Sequence, residues 1–158
     1  NVVDPQDLID QYGADSLRFY LATMAGQDQG IIFNRARVEG YRNFCNKLWN
    51  AARFALMNLE DFGAAELAAY RAEVIEAAEV GPLALADRWI LARALETAAQ
   101  VDALLGEFRL DLAAHAVYQF VWYELCDWYL ELAKPSLREG GPLADRRMTQ
   151  GTLATVFD

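Results

Sequence analysis

RARVEGYRNFCNKLWNAARFALMN, residues 35–58, decides the fold. It is the longest run with a clean helical period, and Gly40 is the one helix-weakening residue in it. At roughly 100° per residue, Val38, Tyr41, Phe44, Cys45, Leu48, Ala52, Ala55 and Leu56 gather on one side. Arg35, Glu39, Arg42, Asn46, Asn50 and Arg53 gather on the other, with Asn43 and Lys47 at the edge. The pattern predicts an amphipathic helix with a core face and a polar face rich in Arg and Asn.

The elements around it follow from capping and breaking residues. Residues 1–3 read as a short strand. Asp4-Pro5-Gln6-Asp7 opens a helix, because Asp4 can cap and Pro5 suits the first helical position. That helix is expected to stop at Gly13. A second, over 14–25, places Leu17, Tyr20, Leu21 and Met24 on one face and stops at Gly26. Residues 31–33 read as another short strand, and Asn34 caps the long helix. After Asn58 comes an Ala-rich, acidic stretch over 59–83, read as a solvated connector rather than a loose helix. Helices are then expected over 83–108, over 112–134 capped by Asp111 and ended by Pro135, and from 143 or 144 to 157. The 112–134 helix carries so many aromatics that it should be central and most buried, with those aromatics in the core. The fold class expected is mainly all-α. A short strand-helix-helix-strand element (1–34) precedes an antiparallel helical bundle (35–158) in which 59–83 is the connector.

Composition narrows the class. With 158 residues, 54% of them hydrophobic, the chain can build a real core. No apolar run approaches the ~18 residues that span a bilayer. Residue 1 is Asn, so the chain is expected to be a piece of something longer. Cys45 and Cys126 sit at apolar helical positions and read as reduced thiols of a cytoplasmic protein. Two Cys and one His cannot build a Cys/His zinc site. The net charge of −9 argues against indiscriminate binding to nucleic acid. It hides an asymmetry, however. Residues 35–53 hold five basic residues against one acidic, and 60–79 hold six acidic against one basic. A local basic patch acts independently of distant charge, because exposed charges more than about 8–10 Å away are screened.

Motifs of catalysis are absent. Gly140-Gly141 is a turn, and His115 stands alone on an Ala-rich face. Glu124, Asp127 and Glu131 share a helix face and read as its polar stripe rather than as an acid–base or metal set. The Arg/Asn face of 35–58 is the one place with recognition chemistry. Arg forks pair with phosphate, Asn offers donor and acceptor to base edges, and an aromatic outside the core stripe can stack on a base. Phe54, at the margin of the polar face, is the aromatic so assigned. On these grounds alone the face suits RNA and a protein partner equally.

At these residues the chain resembles the valyl-tRNA synthetase family. RNFCNKLWNAARF (42–54) is similar to the helix that opens that family's anticodon-binding domain. NVVDP (1–5) and YGADSLRF (12–19) are similar to the segment after the KMSKS loop, shared with the isoleucyl and leucyl enzymes. LADRWIL (85–91), FRLDLAA (108–114) and ELCDWYLELAKP (124–135) match later helices, and 59–83 is the weak part. The resemblance implies a stem-contact element over 1–34 and an anticodon-binding bundle over 35–158. It implies a parent that joins valine to its tRNA with ATP and magnesium, while this chain holds no catalytic residue, metal or cofactor. Expected partners are valine tRNA and the parent's own catalytic domain, with no membrane, in a cytoplasmic monomer. The expected RNA-binding residues are Arg42 and Arg53 on phosphates, Asn46 and Asn50 on base or sugar edges, and Phe54 stacked on an anticodon base. Arg35 and Arg37 are added at the helix start. The rival reading is a scaffold that buries the Arg/Asn face against protein. A free-standing helical protein without RNA is a third.

Overall fold

The computed structural model describes residues 3–26, 33–77, 83–138 and 142–158, the side chains of 72–77 excepted. Every regular element among them is helical. Helix α1 (Pro5–Tyr12) starts as its residues dictate, with the Asp4 carboxylate accepting from the Gln6 N–H at 2.8 Å and Pro5 in the first turn. It ends at Gly13, whose φ of 87° is one that side chains rarely adopt. Helix α2 (Ala14–Met24) folds back on it. Leu8, Tyr12, Leu17, Tyr20 and Met24 form a small core with Val38 of the next helix.

The two runs expected as strands fall mostly outside the described residues, at 1–2 and 31–32. Val3 and Phe33 are described, and neither is strand. Both pack their side chains onto the small α1–α2 core. The correction has a simple cause: an isolated pair of such short strands gains little, whereas apolar side chains gain by plugging a nearby core. Among the described residues the element is helix–helix, not strand-helix-helix-strand.

Helix α3 (Arg35–Asn58) has the bounds its period predicts. Asn34 caps it, accepting from the Arg37 N–H at 3.3 Å, and the Asn34 N–H donates to the Tyr20 hydroxyl at 3.2 Å. The start of α3 is thereby pinned to α2. Its buried positions are Val38, Phe44, Ala51 and Ala55. Leu48 and Leu56, expected in the core, are 37% and 67% exposed. Leu56 lies about 100° round from Ala55, outside the buried arc, and Leu48, about 20° from Ala55, stands at its rim.

The acidic stretch is not a bare connector. Helix α4 (Ala64–Ala77) forms within it and lies on the last helix, α8 (Leu143–Val156). Tyr70 anchors it: the residue is 5% exposed and its hydroxyl sits 2.6 Å from Thr152 Oγ1. Burial pushes that hydroxyl's pKa up to about 12. Around the anchor, Gln150 Nε2 donates to the Asn58 carbonyl (2.7 Å) and to Asp61 Oδ1 (2.6 Å), and Arg147 donates to the Asp61 carbonyl (2.8 Å). A reading by composition sees the solvated acids and misses the buried Tyr70 ring.

Helix α5 (Leu85–Gly106) ends in a turn where Phe108, not a glycine, takes the left-handed conformation (φ 57°), and the Arg109 N–H reaches back to the Leu104 carbonyl at 2.8 Å. The expected long helix over 112–134 is three consecutive pieces. Helix α6 (Leu110–Gln119) begins one residue before Asp111, so Asp111 lies in the first turn and does not cap. Its carboxylate is held by the Arg109 guanidinium at 3.2 and 3.3 Å, which lowers its pKa. A π-helical segment (Phe120–Tyr129) follows, then α7 (Leu130–Leu137). In the wider π turn the Leu130 N–H bonds to the Leu125 carbonyl, five residues back. Residues five apart therefore share a side, and Phe120, Leu125 and Leu130 are all buried. The same change of period turns Tyr123 (46% exposed) and Trp128 (64% exposed) outward, so the aromatics are not all core. Pro135 does not end the helix; α7 runs through it to Leu137. Leu130, Ala133 and Leu137 are buried on either side of the proline and hold that turn in place despite the missing N–H.

The main core joins Phe44, Ala51 and Ala55 of α3 to Ile90, Phe120, Leu125, Tyr129, Ala133 and Leu153. At its edge lies a buried polar knot. Asp87 is 2% exposed, accepts from the Tyr129 hydroxyl at 2.7 Å and from the Thr149 hydroxyl at 3.2 Å, and so ties α5, the π segment and α8 together. Desolvation raises the Asp87 pKa against the lowering effect of these two donors, and it raises that of Tyr129 as well.

Two predictions follow from this packing. A Cβ on Gly151 would stand 2.4 Å from the Tyr70 ring, so Gly151→Ala should lower unfolding free energy by about 1–3 kcal/mol. Gly40→Ala meets nothing within 4 Å in mid-helix and should raise it by about 0.5–1 kcal/mol. Urea unfolding of the two variants checks both signs.

Asp87→Ala strands two buried hydroxyls and should cost about 2–4 kcal/mol, while Asp87→Asn keeps one acceptor and should cost less. Native Asp87 holds its proton to a higher pH than unfolded Asp87, whose reference value is 3.8. Between those two values the native state binds more protons, so this group's contribution to stability falls as pH rises. The difference in stability between the native chain and Asp87→Asn should therefore drift with pH from about 4 upward, which denaturant titrations at stepped pH will read.

Candidate nucleic-acid interface

Helix α3 has a different neighbour on each side. Toward the π segment, Lys47 lies 4.0 Å above the Trp122 ring centre and pairs with Asp127. Trp122 stacks on Tyr118 (5.5 Å, 10°), and Tyr118 packs on Phe44 (4.8 Å). Lys47 is thus fixed by packing. Toward α2, Phe19 meets Tyr41 and Phe44 at 5.2 and 4.9 Å.

The remaining side of α3 faces solvent. Arg35, Asn46, Asn50 and Arg53 are exposed and have no hydrogen-bonded or ionic side-chain partner among the described residues. Arg42 is half-buried, shares its guanidinium with Glu39 at 3.3 Å and lies 5.7 Å from the Tyr12 ring centre. Arg35, Arg42, Asn46 and Arg53 fall within an arc of about 40°, with Asn50 about 40° farther on. Arg42 and Arg53 are about 16 Å apart along the axis.

The structure separates two residues from this stripe. Arg37 points to the other side of the helix, where it donates to the Met24 sulfur at 3.3 Å and lines a cavity of about 330 Å³ with Thr23, Tyr41, His115 and Tyr118. Phe54 is half-buried with its ring against the main core, about 100° round from Arg53. A residue that the sequence reading passed over stands in the stripe instead. Trp49 is 68% exposed and lies on the wheel within about 20–40° of Arg42 and Arg53. The helical period held that signal, since Trp49 falls within about 20° of Arg42 on the wheel.

The three carboxylates that shared a face are each taken by a different cation. Glu124 accepts from Arg93 at 2.7 and 3.0 Å, Asp127 pairs with Lys47, and Glu131 with Lys134. Among the described residues no group of three or more His, Cys, Asp or Glu could hold a metal ion. Cys45 and Cys126 are free and half-buried, and burial raises both thiol pKa values. No described helix is long and apolar enough to cross a membrane.

The sequence of this helical chain is similar to known proteins. Residues 87–158 match the family model described as the anticodon-binding domain of tRNA ligase. The chain carries an anticodon-binding domain of the tRNA-ligase class. Over its whole length it is, more narrowly, similar to a segment of valine–tRNA ligases. All of it aligns with the valine–tRNA ligases of Syntrophotalea carbinolica (44% identical over 158 residues), Gloeobacter violaceus (45% over 166) and Symbiobacterium thermophilum (48% over 159). The chain spans 16–17% of the length of these relatives.

The division of α3 into a packed side and a free stripe predicts unequal mutational costs. Lys47→Ala should lower stability by about 1–2 kcal/mol through loss of the Trp122 and Asp127 contacts. Arg53→Ala should change it by less than about 0.5 kcal/mol. Thermal unfolding of the two variants side by side measures this.

Proposed function

We propose that this chain is the anticodon-arm-holding part of a cytoplasmic, monomeric valine–tRNA ligase, whose whole joins valine to its tRNA with ATP and magnesium. The observation that carries the reading is the exposed Arg/Asn stripe of α3 in a chain of net charge −9. In this reading Arg53 and Arg42 meet phosphates, Arg42 already oriented by Glu39 and Tyr12. Asn46 and Asn50 reach base or sugar edges, and Arg35 extends the basic track. Phe54 offers its exposed edge to an anticodon base. Arg37 reaches the RNA only if the backbone wraps to the α2–α6 side.

The helices α1 and α2 serve as the stem-contact element over 1–34, and 35–158 as the anticodon bundle. Their separate small core supports that division, as does the pinning of α3 through Tyr20. The parent's catalytic domain is the second partner, and it docks on surface other than the stripe.

Arg42→Ala and Arg53→Ala should each weaken binding of valine tRNA and reduce the slope of log K against log salt by about 1. An anticodon-swapped tRNA should bind more weakly than the native one. Filter binding at two salt concentrations tests both. Equal weak binding of both RNAs, with slopes unmoved by the Arg variants, overturns the reading in favour of a scaffold.

A further inference from the structure

We infer that Trp49 is a base-stacking residue of the α3 face, taking an unpaired base of the RNA loop between the phosphates held by Arg42 and Arg53. This rests on the RNA reading above and adds to it a residue and a mode of contact. Trp49 is 68% exposed, the most exposed tryptophan of the molecule. Of the others, Trp128 is 64% exposed and lies on the π segment, whereas Trp89 and Trp122 pack against the main core.

The surroundings of Trp49 indicate its occupant. Asn46 and Arg53 lie one turn to either side at i−3 and i+4, Arg42 two turns back at i−7, and Asn50 about 100° round at i+1. All are polar or cationic, and the stripe holds no carboxylate between Arg42 and Arg53. A protein-docking tryptophan would be expected among apolar neighbours. Here Cys45, Ala52 and Leu56 adjoin on one side only, and cations and an amide adjoin on the other. A polyanion that also presents a flat apolar surface satisfies both halves of this arrangement, and single-stranded nucleic acid is that ligand. Phe54 cannot replace Trp49 in this position, because its ring is committed in part to the core. The helix supplies rigidity: Ala51 and Ala55 on the opposite side are buried, so the indole's base is fixed before the RNA arrives.

The test uses a stem-loop RNA bearing the anticodon loop of a valine tRNA, with Trp49→Ala and Trp49→Phe. Trp49→Ala should weaken binding about tenfold, Trp49→Phe should restore most of the loss, and neither should change the salt slope. Replacing loop nucleotides one at a time by abasic sites should reveal one position at which Trp49→Ala carries no further penalty. If Arg42 and Arg53 variants weaken binding but Trp49→Ala does not, the stacking role is wrong and a protein contact takes its place, while the RNA face stands. If the Trp49→Ala penalty is equal at every abasic position, stacking on a base is likewise overturned. If none of the three side chains matters, the RNA reading itself falls.

Discussion

Phe44 is the residue on which the molecule turns. Its ring meets Phe19 from α2 on one side and Tyr118 from α6 on the other, and Tyr118 passes the contact on to Trp122 and Lys47. This line of aromatics joins the small α1–α2 core to the main core through α3, which among the described residues is the one helix that contributes buried residues to both. Aromatic contacts of this kind add about 0.5–1.5 kcal/mol each beyond area burial. Their larger consequence is geometric. With α2 on one flank and the π segment on the other, α3 cannot rotate, and its Arg/Asn stripe is aimed in one direction.

A second constraint holds the far end. Helices α5, α8 and the π segment meet at Asp87, and α4 is joined to α8 through Tyr70, Thr152 and the close approach at Gly151. A buried carboxylate without a paired cation is an expensive group, and its two hydroxyl donors make it tolerable. Such a knot specifies one arrangement of helices, since any other leaves three buried polar groups unsatisfied. The part of the acidic stretch over 61–71 is recruited into the bundle by the same end of α8.

Much of the bundle was legible in the sequence because its signals are local. Asp4, Asn34 and Gly13 act on their own neighbours in the chain, and they set helix ends where a capping argument puts them. The period of α3 is likewise a local pattern. The π segment was not legible, since one inserted residue per turn depends on which spacing the opposing core accepts. Tyr123 and Trp128 were misplaced for that reason. Tyr70 was missed because one aromatic in an acidic, Ala-rich run has no period of its own. The stripe residues Arg42, Asn46, Asn50 and Arg53 came from the wheel. Trp49 is exposed and Phe54 half-buried, a difference the wheel does not give, since exposure depends on which arc a neighbouring helix covers.

Chain-local chemistry thus suffices for the helical class, for most helix boundaries and for the segregation of positive charge onto residues 35–53. Tertiary packing decides which side of α3 is free. It fixes Lys47 over Trp122, turns Arg37 toward the α2–α6 cavity, half-buries Phe54 and leaves Trp49 in the open. The reason is physical: a helical wheel gives angles between residues on one helix, but the neighbour that removes water from a given angle is supplied by segments far away in the chain.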